Sequence, residues 1–262
     1  MAAHRPRKRF GQHFLVDTHY IRRMIDAIAP QPGDRLVEIG PGLGALTRPL
    51  LERAGRLTVI EIDRDLSARL IEALSTDDLS LHAVDALTFD FARLGGELRV
   101  VGNLPYNISS PLLFHLAQFE AQLRDITAML QREVVQRIVA LPATPDYGRL
   151  SVMLQVRFSA ERLFTVPAGA FRPAPKVESA VVRLTPLGAA RPRLADPQLF
   201  AQIVTAAFGQ RRKTLRNALR PHADEADLER AGVDAGARGE TLAVADFVRL
   251  ANALVRSGAP MG

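Results

Sequence analysis

The chain has 262 residues, is 47% hydrophobic and 24% charged, and carries a formal net charge of +6. That size allows one large domain or a medium domain with a small appendage, and the apolar share supports a packed core. No apolar run of about eighteen residues is present to span a membrane, and the absence of cysteine excludes disulfides and thiolate metal sites and suits a reducing cytoplasm.

The first segment, "MAAHRPRKRF", is basic, but no apolar stretch follows it, so it does not read as a secretory signal. From residue 35 a pattern sets in. "RLVEIG" (35–40), "LTVIEID" (57–63), "LSLHAVD" (79–85), "LRVVGNLP" (98–105) and "ITAMLQ" (126–131) are short aliphatic runs that read as buried strands. Helical segments are expected over 44–53, 65–75, 111–119 and from 132 to about 141. "ERLFTVP" (161–167) and "SAVVRLTP" (179–186) add two late strands with no clear helix between them, an antiparallel hairpin at a sheet edge. Strands alternating with helices predict an α/β fold, a mostly parallel seven-stranded sheet covered on both faces. "TPLGAARPRLADP" (185–197) has no periodicity and reads as a linker. Helices over 198–208, 211–221 and 243–256 then form a small all-helical domain. The expected domains are 1–187 and 188–262.

The strand ends carry the chemistry. "VEIGPGLGALT" turns from the first strand into a helix, and Gly40, Gly42 and Gly44 permit a tight turn and a close ligand. Gly40, Gly42 and Ala45 also satisfy a nicotinamide fingerprint, so this motif leaves the cofactor open. Glu61, about 20 residues on, can accept hydrogen bonds from ribose hydroxyls. Asp85 can meet the exocyclic amine of a bound adenine. Together the three describe an adenosine pocket.

"VVGNLPYNIS" (100–109) ends the fourth strand beside that pocket. An exocyclic amine on adenine is a poor nucleophile because its lone pair is spread into the ring. The Asn103 side-chain oxygen and the Leu104 main-chain carbonyl can accept its N–H groups and localise that pair. Pro105 shapes the turn and removes a competing N–H, and Tyr106 offers a flat face to a base drawn from its stack. The matching donor is a methyl sulfonium. The histidines are scattered, HExxH spacing does not occur, and no metal site is expected.

Two basic clusters suit a polyanion. One is His4, Arg5, Arg7, Lys8 and Arg9. The other is Arg211, Arg212, Lys213, Arg216 and Arg220, with Arg212, Arg216 and Arg220 on one helical stripe. A solvated helix face is the plainer reading of the second.

These motifs, in this order, resemble the ribosomal RNA adenine N6-dimethyltransferase family, and its KsgA-type branch for the small ribosomal subunit. "RFGQHFL" (9–15), "IEID", "DAL", "MLQREVVQR" (129–137), "FRPAPKVESAVVRL" (171–184) and "QRRKTLRNAL" (210–219) extend the likeness over nearly the whole chain. The resemblance implies a Rossmann-like class I methyltransferase fold with S-adenosyl-L-methionine against His13, Leu15, Gly40, Glu61, Asp85 and Asn103. His13 stands where many members carry Asn. Glu38 would reach the methionine part through water, and Phe171 would face the target base opposite Tyr106. The implied partners are small-subunit ribosomal RNA and the pre-30S particle; no membrane partner is expected, and a monomer is expected because no long apolar stripe is left over. Other readings stay open: action on large-subunit RNA or DNA, a ribosome-assembly binding factor, or a nicotinamide oxidoreductase. Leu104, where DNA enzymes more often show a second Pro, leans toward RNA.

Overall fold

A computed structural model describes residues 12–74, 76–210 and 212–256. In chain order the elements are β1 (Phe14–Leu15), α1 (Thr18–Ile28), β2 (Arg35–Ile39), α2 (Thr47–Ala54), β3 (Leu57–Ile60), α3 (Arg64–Leu74), β4 (Leu79–His82), β5 (Leu98–Asn103), α4 (Ser109–Leu116), β6 (Leu123–Gln131) and α5 (Arg132–Val139). They continue with α6 (Arg149–Gln155), β7 (Phe158–Val166), β8 (Phe171–Arg172), β9 (Ser179–Pro186), α7 (Pro197–Gly209), α8 (Leu215–Ala218), α9 (Glu225–Arg230) and α10 (Val244–Arg256).

The seven expected strands form one sheet of order β4-β3-β2-β5-β6-β9-β7. β2 pairs in parallel with β3 and β5, β3 with β4, and β5 with β6. β9 runs antiparallel to β6, with Ile126 opposite Leu184 and Gln131 opposite Ser179. β5 is buried at every position but the last, as a central parallel strand covered on both faces must be. A second sheet of two strands joins β1 to β8, with Leu15 opposite Phe171.

Helix α1 lies where no element was expected. Asp17 caps it by accepting from the His19 N–H, and Met24, Ile25 and Ile28 are buried at helical spacing. Its C-terminal carbonyls meet a buried cation. Arg99, near the start of β5, donates to the Ile28 carbonyl at 2.6 Å and is paired with Asp34 at 2.6 Å and Asp125 at 2.9 Å. Two carboxylates and a carbonyl compensate the cost of burying that guanidinium.

The chain divides into two compact units, residues 1–135 with 160–186, and residues 136–159 with 187–262. The expected domain limits differ from this division: residues 136–157 cluster with the helical unit, and its boundary falls two residues into β7. Ala140, Tyr147, Val152 and Val156 are buried in one apolar cluster with Phe200, Ile203, Leu228 and Phe247. The Tyr147 hydroxyl also donates to the Leu242 carbonyl at 2.9 Å. The helix expected over 211–221 reduces to the single turn α8. The Leu215 and Arg216 N–H groups bond the carbonyls of Ala237 and Ala235, so they are diverted from a longer helical ladder.

Candidate active site

The parallel strands of the first unit bring their carboxyl ends to one edge, where open sheets bind ligands. His13, Leu15, Gly40, Gly42, Glu61, Asp85 and Asn103 all line one cleft there, of about 1110 Å³ counting the solvent at its mouth. Leu104, Pro105 and Tyr106 line it too. β3 and β4 are shorter than expected. Glu61 follows the last residue of β3 directly, and Asp85 lies three residues beyond β4.

Gly42 has φ +59°, and a Cβ there would lie 2.9 Å from the Phe14 ring. Only glycine fits, so the turn from β2 stays close to β1 across the cleft floor. Glu61 is 6% exposed and accepts from the Asp63 N–H at 2.8 Å. Burial raises its pKa, against the backbone N–H groups of Asp63 and Gly42. Asp85 accepts from the Leu87 N–H at 2.9 Å through Oδ1, which leaves Oδ2 available. Leu43, Ile62 and Val84 line the same cleft while 56%, 45% and 41% exposed. Sequence reasoning missed these three. Their exposure beside two carboxylates suits an apolar, flat ligand with polar edges, such as a nucleoside.

Glu38 is buried and its Oε2 has no hydrogen-bond partner among the described residues. Burial and then the charge of Glu61 push its pKa up to about 8, with the Thr47 hydroxyl acting the other way. An orphaned buried carboxyl that lines the cleft is what a polar or cationic ligand group would satisfy.

At the end of β5 the Asn103 amide donates from Nδ2 to the His13 carbonyl at 2.8 Å. A carbonyl can only accept, so this bond fixes which end of the amide is nitrogen and leaves Oδ1 as an acceptor. The Leu104 N–H is held by the Met129 carbonyl at 3.1 Å, which ties the residue to β6. The Pro105 carbonyl accepts from Ile108 N–H at 3.2 Å and Ser109 Oγ at 3.0 Å, closing the turn into α4. The Tyr106 hydroxyl lies 2.5 Å from Ser179 Oγ, and burial raises its pKa.

Phe171 is a correction. It is fully buried in a cluster with Leu15, Met129, Ala170 and Val181, and it does not line the cleft. Pairing of β8 with β1 turns its ring into the core, where an aromatic side chain gains most from burial. The ring that stacks on Tyr106 is that of His13, with centroids 5.5 Å apart and planes 26° apart. His13 Nδ1 donates to the Pro173 carbonyl at 2.8 Å, so in the neutral ring the single N–H is already used within the fold.

The basic residues expected to hold RNA are in the second unit. Arg212 and Lys213 are exposed. Arg216 is ion-paired with Glu225, which compensates its charge. The stripe of Arg212, Arg216 and Arg220 is not formed, because only Leu215–Ala218 are helical. Arg211 and the cluster from His4 to Arg9 lie outside the described residues.

An open, mostly parallel seven-stranded sheet with a glycine turn after β2 and acids beyond β3 and β4 defines a class I methyltransferase fold. The chain belongs to the ribosomal RNA adenine dimethylase family, whose sequence profile matches residues 3–256. It is 64% identical, over 96% of its length and 95% of the relative's, to the ribosomal RNA small subunit methyltransferase A of Aromatoleum aromaticum. Its fold is similar to that of a dimethyladenosine transferase from Plasmodium falciparum, with TM-score 0.82 and 23% identity over 94% of this chain and 98% of that one. It is also similar to the 23S rRNA methyltransferase ErmE, with TM-score 0.68 and 30% identity over 92% and 99%.

Proposed function

We propose that the chain transfers methyl groups from S-adenosyl-L-methionine to the N6 amine of adenines in small-subunit (16S) ribosomal RNA, giving N6,N6-dimethyladenosine as the 30S subunit is made. The observation that carries this reading is the fixed Asn103 amide, whose Oδ1 is left as an acceptor beside the adenosine-type cleft. When bound, S-adenosylmethionine supplies an electrophilic methyl group on a cationic sulfur. The chain's own residues do the rest by positioning and dipoles.

Glu61 and Asp85 hold ribose and adenine edges, Leu43, Ile62 and Val84 cover the apolar faces, and Glu38 meets the polar end. Asn103 Oδ1 and the Leu104 carbonyl accept the N–H groups of the target amine and steer its lone pair. Tyr106 supports the base. No strong general base is required, because the amine becomes acidic as it is alkylated and its proton passes to water.

The exposed Arg212 and Lys213 support a polyanionic substrate. The substrate is RNA within a pre-30S particle, and the chain works as a monomer in the cytoplasm. No described helix is long and apolar enough to cross a membrane. The test is nucleoside mass spectrometry after incubation with labelled donor and, separately, immature small subunits, large-subunit RNA and duplex DNA. Dimethyladenosine should form in the small-subunit RNA. Transfer confined to either of the other two substrates would overturn the proposal.

A further inference from the structure

We infer that His13 is a positioning residue for the transfer, holding the Asn103 amide and the Tyr106 ring in their working orientations. The inference rests on the methyltransferase reading of the cleft. Three contacts converge on this one residue. Its carbonyl accepts from Asn103 Nδ2 at 2.8 Å, its Nδ1 donates to the Pro173 carbonyl at 2.8 Å, and its ring stacks on Tyr106 at 5.5 Å.

The chemistry makes the first contact directional. An asparagine amide turned over by half a turn exchanges its donor and its acceptor. In that state Oδ1 would face the His13 carbonyl, acceptor against acceptor, and the NH₂ would face the N–H groups of the target amine. Neither pairing can form. The His13 carbonyl therefore selects the one amide orientation able to grip an exocyclic amine.

That carbonyl must itself be held. It immediately precedes β1, which has two residues and pairs with the two-residue β8, the chain beyond β1 being tied by the Val16 and Asp17 N–H groups to the Ala170 carbonyl. So short a pairing is weak by itself. The bond from His13 Nδ1 to Pro173, the residue after β8, adds a further tie at the open end of that ladder. The Tyr106 ring is then fixed at its hydroxyl by Ser179 and on one face by His13. Anchor and ring are separable properties. Asparagine at 13 can donate to Pro173 but has no ring, whereas phenylalanine has a ring and no donor.

His13→Ala, His13→Asn and His13→Phe are compared with the unaltered chain in three measurements. These are kcat and KM on immature small subunits, the S-adenosylhomocysteine Kd by calorimetry, and the Asn103 side-chain amide signals in NMR. His13→Ala should lower kcat roughly tenfold to a hundredfold, as expected for a lost orienting hydrogen bond and a misplaced reacting group. The change in Kd should be smaller than the change in kcat, and the Asn103 amide protons should lose exchange protection. His13→Asn, which keeps the anchor, should recover more of kcat than His13→Phe, and the shortfall that remains in His13→Asn measures the lost ring on Tyr106.

Unchanged kcat and amide signals in His13→Ala would overturn the inference. So would a loss confined to the Kd, which would make the residue a donor contact. Should His13→Ala fail to fold, the ordering of the Asn and Phe variants decides. If the unaltered chain methylated no adenine at all, the functional reading would fall, while the Asn103 amide signals would still report whether His13 holds that side chain.

Discussion

A Cβ on Gly102 would stand 2.4 Å from the carbonyl oxygen of Ile39. β2 and β5 thus meet backbone to backbone one residue before Gly40 and one residue before Asn103. The spacing between the Gly40 turn and the Asn103 amide is set by two main chains with no side chain between them. Gly102→Ala must push those strands apart, since backbone cannot swing aside. It should cost about 2 kcal/mol or more in stability and lower kcat. Urea unfolding and initial rates check both, and wild-type values in each would refute the close approach.

Asn103→Ala should reduce kcat by roughly a hundredfold to a thousandfold, comparable to deleting one oxyanion-hole donor, while RNA binding persists. Asn103→Asp keeps an acceptor but sets a carboxylate against the His13 carbonyl, so it should also be slow. Near-normal turnover of the Ala variant with labelled donor would remove the amide from the mechanism.

Glu38 makes stability depend on pH. Its folded pKa of about 8 lies above the ordinary value of 4.5, so the folded chain keeps a proton that the unfolded chain releases between those pH values. The contribution is fully present below pH 4.5 and is lost as pH rises through about 8. Glu38→Gln removes this dependence. Relative to wild type it should gain up to a few kcal/mol from pH 5 to pH 8, with no such gain at pH 4. Thermal midpoints across that range test the sign; a constant offset would show the carboxyl to be ionised throughout.

Phe171→Ala should destabilise the chain by about 3–5 kcal/mol, as removal of a fully buried ring does. Phe171→Leu should cost less and keep most of the activity. A Leu variant that folds well but cannot methylate would restore the ring to the active site.

Neutralising Arg212 and Lys213 together should weaken binding to ribosomal RNA and flatten its salt dependence by about one to two units of slope. Arg216→Ala should do less, because Glu225 already neutralises that cation. Filter binding at several salt concentrations gives the slopes, and an unchanged slope for the double variant would exclude this surface.

The strands were legible because each is a short, largely aliphatic run bounded by a turn-forming or polar residue, and Gly40, Glu61, Asp85 and Asn103 lie at or within three residues of strand ends. Helix α1 carried a readable signal in Asp17 and in Met24, Ile25 and Ile28 at helical spacing. α9 did so in the reciprocal cap of Asp224 and Asp227. Phe171 misled because its place in a motif does not reveal that β8 pairs with β1. The basic stripe misled because the N–H groups of Leu215 and Arg216 find carbonyls some twenty residues away, a tertiary choice that helical periodicity does not register. Gly102 looked like any strand glycine, since close approach is a property of two strands together.

Because residues 136–159 pack with the helical unit, the polypeptide passes between the two units at 135/136, at 159/160 and again at 186/187. Neither unit is a contiguous stretch of the gene. A fragment ending at Pro186 would strip Tyr147, Val152 and Val156 of the neighbours that bury them. Moving the helical unit onto a different sheet would require three junctions to be spliced in register, one of them inside α5 and one inside β7.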